Sequence, residues 1–157
     1  MKIIFLDIDG VLNHKSSPFE YPIDSFCVGL VNSLIADTGA KIVMSTSWRD
    51  MDGKEYNPTF GHFEVEQPFS LRNFLVSQGL KNNFQSDWAT PILNKRPRGF
   101  EIQVWLNKHP DVKEYVILDD VDEFTKDQHA HYIKTSMLTG FTVKDYEEAE
   151  KILKVTK

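Results

Sequence analysis

The sequence predicts an α/β domain in which helices cover both faces of a doubly wound parallel sheet, giving three layers. Three apolar runs, at residues 2–7, 41–45 and 115–119, are rich in Ile and Val, and each ends at a polar residue. Such runs are typical of parallel strands that are buried on both faces. Helical patterns lie between the runs, and this alternation indicates a doubly wound fold. The expected order of elements is β-α-β-insert-α-α-β-β-α.

Four helices are predicted from apolar residues that recur at helical spacing. In the first, Cys27, Leu30, Val31, Leu34 and Ile35 follow the i, i+3, i+4, i+7, i+8 rule. The expected limits are Asp24 to Gly39, Ser70 to Gly79, 99 to 107 before Pro110, and about Thr142 onward to Leu153.

An irregular insert at about 50–97 interrupts the pattern within a single domain that spans residues 1–157. Residues 50–69 and 80–97 contain Gly, Pro, Asn and aromatic residues without clean periodicity. Long irregular segments in compact α/β domains often act as lids or binding loops. Covering the edge of the sheet is the alternative role.

Composition indicates a globular chain of ordinary hydrophobicity, with 41% hydrophobic and 26% charged residues. The net charge of −5 gives no general attraction to nucleic acid. Cys27 is the single cysteine, so an internal disulfide is excluded and a reducing compartment is favoured. The N-terminal apolar run is too short for a signal peptide or a membrane span, and we expect a cytoplasmic protein without a membrane partner. The oligomeric state is not indicated.

Polar clusters fall at the ends of the predicted strands, where ligands bind in open α/β sheets. The first is Asp7-Ile8-Asp9-Gly10-Val11. Its two carboxylates repel each other unless a cation or a bound proton relieves the repulsion, and Mg²⁺ prefers such oxygen ligands. A calcium loop of the EF-hand type fits poorly, because its glycine and its final acidic residue are not in place. Structural roles for the carboxylates, such as capping, remain an alternative.

Two further clusters are suited to an anion. Ser45-Thr46-Ser47-Trp48-Arg49 follows the second apolar run, and hydroxyls with free backbone N–H groups there can cradle a phosphate. The alternative is an ordinary turn. Lys95 and Arg98-Gly99 precede the third helix, where a cation can neutralise a phosphate or hold a carboxylate ionised. A solvated basic loop is the alternative.

The last cluster is Asp119-Asp120-Val121-Asp122, directly after the third apolar run. A second acidic group at a strand end can complete the oxygen ligands of a cation. The order along the chain is therefore DxDG, then Ser/Thr, then Lys/Arg, then DD.

This order resembles the haloacid dehalogenase (HAD) superfamily of phosphohydrolases, from residue 3 to about residue 122. Ser-Thr-Ser-Trp-Arg in the second cluster and Arg-Gly-x-Glu-Ile-x-x-Trp-Leu in the third look like the HAD domains of Swiss Army Knife RNA repair proteins. The resemblance implies a Rossmann-like HAD fold with a small insert in place of a full cap domain.

The resemblance also implies an Mg²⁺-dependent phosphatase with an aspartyl-phosphate intermediate. Asp7 would be the nucleophile and a metal ligand. Asp9 would bind the metal through its backbone carbonyl and act as general acid and base. Asp119 or Asp120 would complete the metal site, with Asp120 a candidate for indirect contact.

Substrate-binding groups follow from the same resemblance. Ser45 is the first choice for hydrogen bonding the phosphoryl oxygens, and Thr46 is the second. Arg98 matches the third cluster better than Lys95, although the superfamily more often has Lys there. Arg49 and Lys95 are expected to contact substrate.

The substrate is expected to be a phosphorylated molecule, and three classes of function stay open. Weakly capped members of the superfamily often take bulky substrates, and Trp48, Arg49, Trp88 and residues 95–98 could stack on and pair with an RNA or DNA end. A phosphatase of small metabolites or mononucleotides is the alternative within the same class. A non-enzymatic phospho-acceptor or binding module belongs to another class, and receiver domains of that kind do not match the DxDG order.

Overall fold

The computed structural model describes residues 1–17, 23–55 and 67–154, and within them one sheet has five parallel strands. The order in space is β3-β2-β1-β4-β5. The strands are β1 (Lys2–Leu6), β2 (Lys41–Met44), β3 (Phe84–Ala89), β4 (Glu114–Asp119) and β5 (Tyr132–Lys134). The predicted α/β class and parallel sheet are confirmed.

The described helices are α1 (Ser25–Thr38), α2 (Leu71–Ser77), α3 (Arg98–Lys108) and α4 (Val143–Lys154), with 3₁₀ turns at Ser47–Met51 and Gln128–His131. The first helix begins as predicted, since Asp24 Oδ1 accepts hydrogen bonds from the N–H groups of Phe26 and Cys27 at 2.8 and 3.1 Å. It ends at Gly39, which has φ of 69°. Each described helix is too short or too polar to span a lipid bilayer.

Three layers arise because β1 is buried on both of its faces. Ile4 and Leu6 belong to a cluster that includes core residues of α1, α2 and α4. Ile3 and Phe5 face the opposite side, where they pack with Ile102 and Trp105 of α3. Burying both faces requires apolar residues at every position of the strand, which explains the continuous run in the sequence.

Strand β3 corrects the sequence interpretation, which treated residues 80–97 as irregular. Phe84–Ala89 pairs with β2 at the edge of the sheet, with a register shift between Ile42 and Met44. Its sequence, Phe-Gln-Ser-Asp-Trp-Ala, has polar residues at exposed positions and so lacks the apolar run of a central strand. The expected order therefore omitted one strand between the second and third helices. Residues 56–66 of the predicted insert lie outside the described residues.

The point at which the chain reverses direction across the sheet lies between β1 and β4. The chain moves outward from β1 to β2 and β3, and then crosses back to β4 and β5 on the other side of β1. Ligands of doubly wound domains bind outside the carboxyl ends of the strands at such a switch point. The residues directly after β1 and at the end of β4 are therefore the first place to look for a site.

Candidate active site

Asp7 and Asp119 lie side by side at the switch point. β1 and β4 pair in register with Leu6 opposite Leu118, and the N–H of Asp7 donates to the carbonyl of Leu118 at 3.0 Å. Both carboxylates are buried, and Asp120 lies beside them. Each of these three acids offers a carboxylate oxygen, and the three oxygens lie within 4.8 Å of one another. The structure thus brings together two acidic clusters that are more than a hundred residues apart in sequence.

Arg98, the first residue of α3, bridges the acidic pair. Its Nη1 donates to Asp7 Oδ2 and to Asp119 Oδ2, both at 2.6 Å. The surrounding carboxylates raise the pKa of Arg98 against the opposing effect of burial, so the guanidinium stays charged. Of the two cations that the sequence left open, Arg98 is the one that reaches the carboxylates.

Burial disfavours the ionised form of both carboxylates, Asp7 and Asp119. Desolvation raises the pKa of Asp7, although Arg98, the Thr46 side chain and the N–H of Ile8 act in the opposite direction. Burial and the neighbouring Asp7 raise the pKa of Asp119 to about 7. One guanidinium therefore does not fully offset the cost of burying these acids, and a further positive charge would be stabilised there.

Asp9 is held by hydrogen bonds at both of its carboxylate oxygens. Oδ1 accepts from Asn13 Nδ2 and Oδ2 accepts from the indole N–H of Trp48, each at 2.9 Å. Asn13 also accepts from the N–H of Gly10 at 3.0 Å, so the whole turn after β1 is cross-linked. The two contacts fix the direction of the Asp9 carboxylate.

Trp48, which the sequence suggested as a stacking residue, contacts both the turn after β1 and α2. It is half-buried, its ring stacks on Phe74 with centroids 6.1 Å apart, and its N–H is bound to Asp9. These contacts engage the indole N–H and place the ring of Trp48 against α2. Trp88, the other proposed stacking residue, is half-buried on β3 with the guanidinium of Arg72 5.0 Å from its ring centroid.

The two hydroxyls that follow β2 differ in their surroundings. Thr46 accepts from the N–H of Trp48 at 3.4 Å, and its side chain hydrogen-bonds Asp7. Ser45 is anchored by its N–H, which donates to the carbonyl of Leu6 at 2.8 Å. Its buried Oγ has no hydrogen-bond partner among the described residues. A buried hydroxyl of this kind has bonding capacity left for a ligand.

A buried ion pair that sequence reasoning missed joins the second and third clusters. Arg49 Nη2 donates to Glu101 Oε2, and Glu101 Oε1 accepts from the N–H of Leu93 at 2.8 Å. The side chains of Arg49 and Glu101 are 7% and 9% exposed, so their charges are stabilised mainly by each other. The sequence does carry an indication of this pair, because Glu101 lies on the apolar face of the third helix. An acidic side chain that is buried there needs a partner of opposite charge.

The turn after β2, the segment before α3 and the start of α3 line an open cavity of about 310 Å³ next to Arg98. The cations on its wall are Arg49, Lys95, Arg96 and Arg98, and the acids are Asp50, Glu101 and Glu123. Glu101 is engaged by Arg49, and Glu123 accepts from the N–H of Arg98 at 3.3 Å. Thr46 and Ser47 complete the polar wall. Arg49 and Arg98 are already in ion pairs, so the cavity offers an anion mainly Lys95, Arg96 and the hydroxyl groups. The expected substrate-binding residues Thr46, Arg49 and Lys95 all line it.

Comparison with protein families agrees with this arrangement. The family model described as the HAD domain in Swiss Army Knife RNA repair proteins matches residues 3–146. The chain belongs to this family. A search of curated proteins and a search of solved structures each gave no significant match. Membership indicates a HAD-type phosphohydrolase, and the acidic cluster of this HAD domain agrees with the Mg²⁺ that HAD phosphatases generally use.

Gly10 allows the two acidic segments of the HAD domain to approach each other closely. Gly10 has φ of +69°, and a Cβ added there would lie 2.6 Å from both Cβ and Cγ of Asp120. Only glycine meets both conditions, because other residues are strained at positive φ and their Cβ would overlap the neighbouring segment.

Gly10→Ala is therefore expected to lower the free energy of unfolding by about 1–3 kcal/mol, through backbone strain and displacement of Asp120. Urea unfolding followed by circular dichroism measures this change. Gly29→Ala is the matched control, since nothing lies within 4 Å of its added Cβ in α1. That variant should gain about 0.5–1 kcal/mol from helix propensity. Equal effects of the two substitutions would contradict the close approach.

Proposed function

We propose that this HAD domain is an Mg²⁺-dependent phosphomonoesterase that forms an aspartyl-phosphate on Asp7 and acts on phosphorylated nucleic-acid ends. The observation that carries the proposal is the Arg98 bridge between Asp7 and Asp119, beside Asp120 and next to a cavity lined by cations. A group of acids with one bound cation and an adjoining anion cavity suits an anionic substrate that is attacked by an anionic nucleophile.

The acidic residues fit a magnesium ion by the chemistry of their donors. Asp7, Asp119 and Asp120 supply carboxylate oxygens within 4.8 Å of one another, and hard oxygen ligands are those that Mg²⁺ takes. The backbone carbonyl of Asp9 is the fourth group that we assign to the metal. When bound, the ion would neutralise charge on the phosphoryl oxygens and on the nucleophile.

In the first step a carboxylate oxygen of Asp7 forms a bond to phosphorus while the ester P–O bond breaks. The electron pair of that bond leaves with the alcohol oxygen, which takes the proton of the Asp9 carboxyl group. Nucleophilic and general acid catalysis together divide one difficult hydrolysis into two easier reactions. Arg98 supports this step by holding Asp7 in one orientation.

In the second step water attacks the phosphorus of the aspartyl-phosphate. Asp9 now accepts a proton from the water, and the P–O bond to Asp7 breaks with its electrons returning to the Asp7 carboxylate. Asp9 must alternate between donor and acceptor without losing its direction, and the contacts with Asn13 and Trp48 support that requirement. The hydroxyls of Ser45 and Thr46 are assigned to the phosphoryl oxygens.

The choice of nucleic-acid ends rests on charge and on the family. The chain has a net charge of −5, yet four Lys and Arg side chains line one cavity beside the acidic cluster. Arg49 is paired with Glu101 and Arg98 with Asp7 and Asp119, so Lys95 and Arg96 are the wall cations that we assign to further phosphates of a nucleic-acid strand. The family description, which names RNA repair proteins, agrees with this substrate class.

The proposal is tested by phosphate release from a substrate panel, in Mg²⁺ and in EDTA. The panel contains oligonucleotides with 3′- or 5′-phosphates, mononucleotides and small sugar phosphates. We expect Mg²⁺-dependent release with the highest kcat/KM on one of the oligonucleotides. A higher value on mononucleotides or sugar phosphates would instead assign a metabolite phosphatase. Absence of release from every substrate would contradict the phosphatase and favour a phospho-acceptor or binding role.

A further inference from the structure

A second groove adjoins the cationic cavity. It has a volume of about 480 Å³ and is lined by Arg96, Pro97, Phe100, Glu123, Phe124 and Thr125. Arg96 and Glu123 line both the groove and the cavity. A ligand with its phosphate at the acidic cluster can therefore extend from one into the other, past the first turn of α3.

Phe100 gives the groove an exposed aromatic surface. Its side chain is 46% exposed, and the guanidinium of Arg96 lies 5.2 Å from its ring centroid. Phe124 lines the groove as well and packs on Tyr132, with ring centroids 4.6 Å apart. The guanidinium of Arg96 lies over this part-exposed ring, and an aromatic ring and a guanidinium plane are both surfaces on which nucleobases stack.

The two walls of the groove are fixed to each other by buried contacts. A Cβ at Gly99 would lie 2.9 Å from the carbonyl oxygen of Glu123 and 3.0 Å from Cα of Phe124, so α3 approaches this loop as closely as glycine allows. Gln128 is 1% exposed, donates to the carbonyl of Gly99 at 2.8 Å and accepts from the N–H of Thr125 at 3.0 Å. These contacts fix the shape of the groove before any ligand binds, so binding has a smaller entropic cost of ordering the groove.

We propose that this groove binds the base of the terminal nucleotide, stacked on Phe100, while the phosphate of that nucleotide lies at Asp7. The inference rests on the proposed function and adds the part of the substrate that is recognised. Charge complementarity favours a nucleic-acid strand in this place, because Arg96 lies at the junction and Lys95 is beside it on the cavity wall. The carboxylate of Glu123, the acid at the junction, accepts a hydrogen bond from the backbone N–H of Arg98 and keeps its negative charge. A single-stranded end suits this place, because its terminal base can turn away from the neighbouring base and present a face to the groove.

The test compares Phe100→Ala with the wild type on two substrates, a single-stranded oligonucleotide with a terminal phosphate and a sugar phosphate without a base. We expect kcat/KM on the oligonucleotide to fall about tenfold to a hundredfold, as the loss of one stacked base implies. The value on the sugar phosphate should stay within about twofold, and Phe100→Tyr should keep the activity on both. Phe26→Ala is the matched control, because Phe26 is 62% exposed on α1, which packs on the opposite face of the sheet from α3.

Equal losses on both substrates, or no loss on the oligonucleotide, would overturn the stacking subsite. A binding measurement separates this failure from failure of the proposed function. The affinity of a fluorescently labelled oligonucleotide for wild type and Phe100→Ala is measured by anisotropy, in the presence of Mg²⁺. If the wild type releases no phosphate, tighter binding by wild type than by Phe100→Ala still supports the subsite, and equal binding refutes it.

Discussion

Asp7→Asn is expected to abolish phosphate release, with kcat at least roughly 10⁴-fold below that of the wild type. Loss of a catalytic nucleophile has effects of this size or larger in well-studied enzymes. The amide is nearly isosteric with the carboxylate, but it lacks the charge to attack phosphorus. The fold should persist, because the substitution also removes a buried carboxylate that repels Asp119.

Two measurements check this result. Phosphate release gives kcat, and intact-protein mass spectrometry after an acid quench detects phosphate covalently bound to the wild type and absent from Asp7→Asn. Asp111→Asn is a suitable control, since Asp111 is exposed and follows α3 at the opposite end of β4 from Asp119. Release that survives in Asp7→Asn would exclude Asp7 as the nucleophile.

Arg98→Gln is expected to lower kcat/KM by about 10²–10³-fold, comparable with removal of one preorganised donor from a catalytic site. Its guanidinium contacts both Asp7 and Asp119, so its loss leaves two buried carboxylates facing each other. Arg98→Lys should keep most of the activity, because an ammonium group can still lie between the two acids.

The free energy of unfolding of the wild-type protein should depend on pH through Asp119. The pKa of Asp119 is raised to about 7 in the folded protein from a usual value near 3.8. Well below the unfolded pKa of 3.8 the group is protonated in both states, whereas between about 4 and 7 the folded state holds more protons than the unfolded state. The free energy of unfolding is therefore expected to fall as pH rises through this interval in EDTA.

Loss of the Arg98 cation should extend that fall to higher pH, because Arg98 favours the charged form of Asp119. Urea unfolding at pH 5 and pH 7.5 measures the difference for wild type, Arg98→Gln and Arg98→Lys. An Arg98→Gln variant as active as the wild type, with the same dependence of stability on pH, would refute the role assigned to the bridge.

Central strands and their polar ends could be predicted from sequence because burial on both faces leaves a continuous apolar run. β1 and β4 have such runs, and the acids that follow them meet because parallel strands place their carboxyl ends at one edge. β3 could not be found in this way, because an edge strand exposes polar side chains to solvent. A strand can therefore be recognised from a continuous apolar run only where both of its faces are buried.

Contacts across the site depend on packing that no local pattern encodes. The sequence left Arg98 and Lys95 as alternatives, and the start of α3 against the Glu123–Phe124 loop decides which of them reaches Asp7. The hydrogen bond between Trp48 and Asp9 joins residues 39 positions apart and depends on the 3₁₀ turn after β2. Side-chain direction of this kind follows from tertiary structure alone.

The bond between Trp48 and Asp9 also gives the protein an optical signal. Indole emission responds to charge near the ring, and this indole donates its N–H to the carboxylate at 2.9 Å. The other two tryptophans are set in different surroundings, Trp88 under Arg72 and Trp105 buried against His109. A change in charge at the Asp9 carboxyl group is therefore expected to alter mainly the emission of Trp48, which would report on this turn in solution without a label.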